Sequence, residues 1–113
     1  MHELSIVQNI LDIAESEALK NNAARITMIK LKIGEMAGVV IDSINFCFEA
    51  IKENTIARDA KLLIEHIPLM GRCKECGADF RITDYRFICE KCNGNKIDLI
   101  SGKELQIEEL EAE

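Results

Sequence analysis

The feature that most constrains this chain is a cysteine quartet with the spacing Cys-x2-Cys-x12-Cys-x2-Cys: Cys73, Cys76, Cys89 and Cys92. Two residues between thiolates let one tight turn aim both sulfurs at one ion. Two such knuckles complete a tetrahedral sulfur shell at about 2.3 Å per Zn–S bond. Gly77 follows the second cysteine and Asn93-Gly94 follows the fourth. Both residue types tolerate the left-handed backbone that such knuckles require. The apolar residues around the quartet are Phe80, Ile82, Tyr85, Phe87 and Ile88. That is too small a core for a stretch of about 27 residues to fold alone. Metal binding is expected to supply its folding energy, on the order of 10 kcal/mol or more. With four protein sulfurs as ligands, no position remains for water or substrate. The zinc is therefore expected to be structural, which excludes zinc hydrolysis and deamination. Paired knuckles of this spacing also argue against a thiol redox pair. An iron centre with the same sulfur geometry has the same sequence pattern.

The rest of the chain must build its core without tryptophan. Of 113 residues, 48% are hydrophobic but only 4% are aromatic, so Ile, Leu, Val and Met fill the interior. This length suits one compact domain, or one domain with a small metal-stapled module. The formal charge is −6, and four thiolates on one Zn²⁺ make it more negative by about two. Such a chain repels polyphosphate, so nucleic acid is not an expected partner. Residues 71–97 are the exception, with six basic against four acidic residues. No stretch reaches the roughly 18 apolar residues of a membrane span. The start Met1-His2-Glu3 lacks the basic and apolar run of a signal peptide. An odd cysteine count with four at metal spacing points to the reducing cytoplasm.

Periodicity gives the element order. Val7, Ile10, Leu11, Ala14 and Ala18 recur at helical spacing, predicting a helix over 4–21 that Asn21-Asn22 ends. Residues 25–33 alternate, with Thr27, Ile29, Leu31 and Ile33 on one face and Lys30 and Lys32 on the other. A second helix is predicted over 42–53, with Ile44, Cys47, Phe48 and Ile51 as its stripe and Asp42 or Ser43 as its cap. Residues 61–67 are strand-like, with His66 on the face of Leu62 and Ile64. Pro68 and Gly71 close that strand, and 97–100 and 104–109 are further short strands. The acidic tail 108–113 is the one segment expected to be disordered. The expected fold is α+β: a sheet of about three strands covered by two helices, with a four-cysteine zinc-ribbon module inserted before the last strand. Residues 1–68 and 98–113 would form the main domain and 69–97 the ribbon, joined by two chain crossings.

The N terminus carries a second possible metal site. The α-amine of Met1 and the amide nitrogen of His2 close a five-membered ring on a metal. That amide and the imidazole Nδ1 of His2 close a six-membered one. Such nitrogen donors suit the square-planar or tetragonal preference of Ni(II) and Cu(II). A fourth donor is open between the amide or carboxylate of Glu3, a water and a partner group. Binding displaces protons from the amine, whose reference pKa is near 8, and from the amide, so affinity should fall from about pH 8 to 6. On chain chemistry alone, an exposed His2 with no metal role is the better account of the residue. His66 reads as a half-buried sheet residue and Cys47 as a buried inert thiol. Met28, Met36 and Met70 are too scattered for a thioether site.

Taken together, Met1–Val7 (Met-His-Glu-Leu-Ser-Ile-Val), the quartet Cys73/Cys76/Cys89/Cys92 and Gly102-Lys103-Glu104-Leu105 resemble the HypA family of hydrogenase-maturation nickel metallochaperones. The resemblance covers essentially the whole chain. It implies Ni(II) bound through Met1, His2 and Glu3, with His2 indispensable, and a structural zinc. It implies delivery to the large subunit of a [NiFe]-hydrogenase together with a HypB-type GTPase. Some members also serve urease, and monomers and homodimers both occur. One departure stands out: several relatives carry a histidine beside the zinc cysteines, whereas residues 71–97 here contain none. The rival readings are a zinc-ribbon module for nucleic acid or protein, and a zinc or redox enzyme. Against an enzyme stands the lack of paired carboxylates, an activated nucleophile or an open zinc position.

Overall fold

A computed structural model describes residues 2–113, and Met1 lies outside the described residues. The elements run α1 (Glu3–Lys20), β1 (Ile26–Gly34), α2 (Ile41–Ile51), a 3-10 turn (Lys52–Asn54), β2 (Lys61–Ile67), β3 (Met70–Cys73), β4 (Asp79–Arg81), β5 (Ile97–Ser101) and β6 (Leu105–Ala112). The chain divides into two compact units. The first holds 1–32, 38–65 and 106–113; the second holds 33–37 and 66–105.

The first unit is the expected α+β arrangement. Its sheet has the order β2-β1-β6, and α1 and α2 pack on each other. The apolar stripe of α1 is the one its spacing predicts: Val7, Ile10, Leu11, Ala14 and Ala18 are buried. Asn22, at φ 58°, ends the helix in the left-handed region that asparagine tolerates. From β1 come Ile26, Ile29 and Leu31, and from α2 Ile44 and Phe48. Lys30 and Lys32 lie on the outer face, where they pair with Glu65 of β2 and Glu108 of β6. Residues 108–112, expected to be disordered, are strand β6 instead. The ladder explains why: Arg25 and Glu113 exchange backbone hydrogen bonds of 3.0 and 2.8 Å, and their side chains form an ion pair. Pairing along one edge of β1 outweighs the repulsion of a short acidic run.

The second unit is a three-stranded antiparallel ribbon of order β4-β3-β5. The register sets Gly71 opposite Phe80 and Arg72 opposite Asp98, with an irregularity between Met70 and Gly71. Residues 97–101 therefore pair with β3, whereas the expected main domain resumed at 98. The short segment 33–37 also belongs here. Gly34 N–H donates to Glu104 O at 2.7 Å and Met36 N–H to Gly102 O at 2.7 Å. The chain thus passes between the units four times rather than two. Gly34 has a specific reason to be glycine, since a Cβ there would lie 2.1 Å from the carbonyl oxygen of Gly102. The ribbon core is Leu69, Cys73, Phe80, Ile82 and Cys89, with Met36, Phe87, Ile97 and Leu99 packed on it. Tyr85 and Ile88, expected in this core, are exposed. Asp84 and Tyr85 sit at φ 53° and 56° in a turn that carries them outward.

Candidate metal sites

The two cysteine knuckles have the same local design. Cys73 N–H donates to Ala78 O at 2.9 Å, and Cys89 N–H donates to Gly94 O at 2.8 Å. Gly77 N–H returns to Cys73 O at 2.9 Å, and Asn93 N–H returns to Cys89 O at 3.0 Å. Gly77 and Asn93, each four residues past the first cysteine of its knuckle, take positive φ of 75° and 58°. In each knuckle the first cysteine is buried and the second exposed. Two copies of one turn therefore face each other, each contributing two sulfurs.

The four sulfurs all lie within 4.8 Å of one another. Cys73 and Cys92 are 3.6 Å apart, as are Cys76 and Cys89. A tetrahedron with 2.3 Å metal–sulfur bonds has edges of about 3.8 Å, so the cluster matches a four-thiolate zinc shell. Its electrostatics point the same way. The N–H groups of Cys92 and Lys91 aimed at Cys89 hold its thiol down to about 7. Gly94 N–H favours the Cys92 thiolate, but the thiols of Cys73, Cys89 and Cys76 push it up to about 12. Crowded sulfurs cannot all carry charge without a cation among them. No other group of three or more His, Cys, Asp or Glu side chains converges in this way among the described residues.

The N-terminal segment presents different chemistry. His2 is the N-cap of α1, is exposed and makes no side-chain capping bond. Its carbonyl accepts the first helical hydrogen bond, from Ile6 N–H at 3.1 Å. The amides of His2 and Glu3 precede that bond, so the helix offers them no acceptor. Deprotonating the His2 amide for a metal thus costs no helical hydrogen bond. Beside it lies an open groove of about 730 Å³, lined by His2, Glu3, Leu4, Asp42, Phe46 and Cys47 among others. Met1, the remaining expected nickel residue, lies outside the described residues.

Three expectations change here. Asp42 and Ser43 do not cap α2; its N-cap is Val40, with no side-chain cap, and Val40 N–H donates to Glu3 Oε2 at 3.2 Å. Cys47 is only half-buried and lines the groove rather than the core. Residues 42, 43, 46 and 47 form one helical face, a spacing that could have revealed this wall. His66 is exposed. Alternation assigned it to the face of Leu62 and Ile64, which are half-buried, but that burial does not extend to His66.

An α+β unit, a four-sulfur ribbon and an exposed histidine at position 2 together define a metal-binding protein with one closed site. The family model for "Hydrogenase/urease nickel incorporation, metallochaperone, hypA" matches residues 1–112. The hydrogenase maturation factor HypA of Geotalea uraniireducens (strain Rf4) is 42% identical over 113 residues, covering all of both chains. That of Dehalococcoides mccartyi is 39% identical over 113 residues, covering all of this chain and 95% of the relative. The solution structure of the Ni metallochaperone HypA from Helicobacter pylori superposes with a TM-score of 0.71 at 30% identity, covering 99% of this chain and 97% of that one. This chain belongs to the HypA family of nickel metallochaperones. Among the described residues, no helix is long and apolar enough to cross a membrane.

Proposed function

We propose that the chain carries Ni(II) on its N-terminal segment Met1-His2-Glu3 and holds a structural zinc on Cys73, Cys76, Cys89 and Cys92. The observation that carries the nickel reading is the placement of His2: an exposed N-cap whose imidazole and amide are both unclaimed by the helix. The Met1 amine, the His2 amide nitrogen and the His2 Nδ1 supply three donors, a set suited to square-planar Ni(II). The zinc makes the ribbon a folded surface and leaves no coordination position for chemistry. The chain acts as a cytoplasmic carrier without catalysis of its own. It delivers nickel to the large subunit of a [NiFe]-hydrogenase, working with a HypB-type GTPase, and urease is a second possible recipient. The division of labour follows the two units, with nickel on the α+β unit and zinc on the ribbon.

Handover requires moderate affinity, a Kd on the order of 1 µM or about −8 kcal/mol. Calorimetric titration of Ni(II) into untagged, zinc-loaded protein tests this. One equivalent should bind, and both His2→Ala and an N-terminally extended form should lose it while melting like wild type. Equal binding by all three would remove the N-terminal chelate.

A further inference from the structure

We infer that β2 is a docking edge for a second copy of this chain, which joins it antiparallel across a two-fold axis at Leu63 and continues the sheet from one molecule into the other.

The sheet order β2-β1-β6 leaves two open edges among the described residues. An open edge offers a row of unpaired N–H and C=O groups to any strand that matches it. The two edges differ in how they receive a copy of themselves. Strand β6 carries Glu108, Glu109 and Glu111, so its copy brings a second run of like charge against the first. Strand β2 instead reads Lys61, then Leu62-Leu63-Ile64, then Glu65. Centred on Leu63, an antiparallel copy sets each Lys61 opposite the other chain's Glu65, each Leu62 opposite Ile64, and Leu63 opposite itself. No other antiparallel register sets both lysines against both glutamates. A parallel copy in register would set lysine against lysine. The contact is isologous, as a closed dimer requires.

The backbone has the same phase. Ile67 O accepts from Glu35 N–H at 2.8 Å, just past the end of β1. Successive residues of a strand turn their polar groups to opposite sides. Residues 61, 63 and 65 therefore turn theirs toward β1, as 67 does, and Leu62 and Ile64 turn theirs to the open edge. These are the residues that the charge register sets opposite each other, so each Leu62–Ile64 pair exchanges two N–H···O bonds. Between them the two Leu63 residues form a closely spaced pair, with Cα atoms about 4.5 Å apart. Leu63 is 47% exposed and Leu62 and Ile64 are half-buried, so a second strand covers apolar surface on both faces. Glu65 already meets Lys30 at 3.5 Å, and Lys61 of the copy extends that ion pair. Charge register, hydrogen-bond phase and apolar exposure coincide on residues 61–65, all within the α+β unit. The contact is small, so the dimer is weak and concentration-dependent.

Sedimentation of the metal-loaded full chain from micromolar to millimolar concentration tests this with wild type, Lys61→Glu, Glu65→Lys and an equimolar mixture of the two variants. Wild type should pass from monomer to dimer. Each variant alone sets like charges against each other at both ends of the pairing and should weaken the dimer at least about tenfold. The mixture restores opposite charges at both ends and should associate as wild type does. Lys61 is exposed, so its variant should melt like wild type. If Glu65→Lys melts early through its lost pair with Lys30, Lys61→Glu in high salt decides instead, because screening should restore its dimer. A wild type that stays monomeric to millimolar concentration overturns the inference. So does a dimer that Lys61→Glu leaves unchanged, which would place the contact elsewhere on the chain. Failure of the mixture of folded variants to associate removes the register, and the inference falls with it.

Discussion

The two units of this chain are held together by different physics. The α+β unit carries thirteen acidic and seven basic residues, whereas the ribbon unit carries seven of each. The whole net charge of −6 thus resides on the unit that has the apolar interior of Leu11, Ile29, Leu31, Ile44 and Phe48. That unit tolerates self-repulsion because buried aliphatic area stabilises it. The neutral ribbon has five buried core residues, two of which are cysteines of the quartet. Where area is scarce, a metal must substitute for it. One chain can therefore combine a unit that folds on apolar burial with a ribbon that folds on a metal.

Metal removal should separate the units most sharply. Stripping the metal from the quartet, or replacing Cys89 with serine, withdraws on the order of 10 kcal/mol from the ribbon. Hydrogen exchange should then show lost protection over β3, β4 and β5 and retained protection in α1 and β1. Uniform loss across both units would mean that the α+β unit depends on the metal too.

The converse experiment cuts into the other core. Phe48 is 1% exposed, and Phe48→Ala should cost about 3 to 5 kcal/mol. Chemical denaturation should register that loss in the α+β unit, while the cobalt-substituted quartet keeps its thiolate absorption until the ribbon itself opens. Gly34→Ala places the next largest load, about 3 kcal/mol, on the segment 33–37. Its new Cβ would strike the Gly102 carbonyl, so the ribbon amides should lose protection before those of α1 do. The reverse order would return the segment to the α+β unit.

The smallest effect is electrostatic and belongs to the acidic unit. Desolvation pushes the Glu108 carboxyl upward, but Glu65, Lys30 and Lys32 outweigh it and hold it below the usual 4.5. A carboxyl whose pKa falls on folding stabilises the fold above its unfolded pKa and loses that contribution as pH falls through the folded value. The stability gap between wild type and Glu108→Gln should thus be full at pH 6 and close below about pH 4.5. Exchange at β1 amides follows this without reference to the metal. A gap that stays constant down to pH 3 would remove the ion-pair network as a source of stability.

Much of this was legible from local pattern. The stripe of α1, the alternation of β1 and the spacing of the quartet are short-range properties. A helix repeat or a knuckle turn closes within five residues, so residue order alone specifies it. Other features needed partners distant in sequence. That 97–101 pairs with β3, opposite Gly71, Arg72 and Cys73, was not legible, because nothing local in those five residues names their partner strand. The acidic tail became a strand because Arg25 lies 88 residues away in the chain and opposite in space. Cys47 shares a helical stripe with buried Ile44 and Phe48, yet α1 covers only part of that stripe.

Glu3 shows the division in a single residue. By itself the sequence determined that this residue stands where an amphipathic helix starts, because a helix repeat is local. Only the tertiary structure decided what its carboxylate accepts, because the Val40 N–H belongs to a helix start 37 residues further on. Local spacing determines which elements form. The packing of one helix start against another determines which of their polar groups meet.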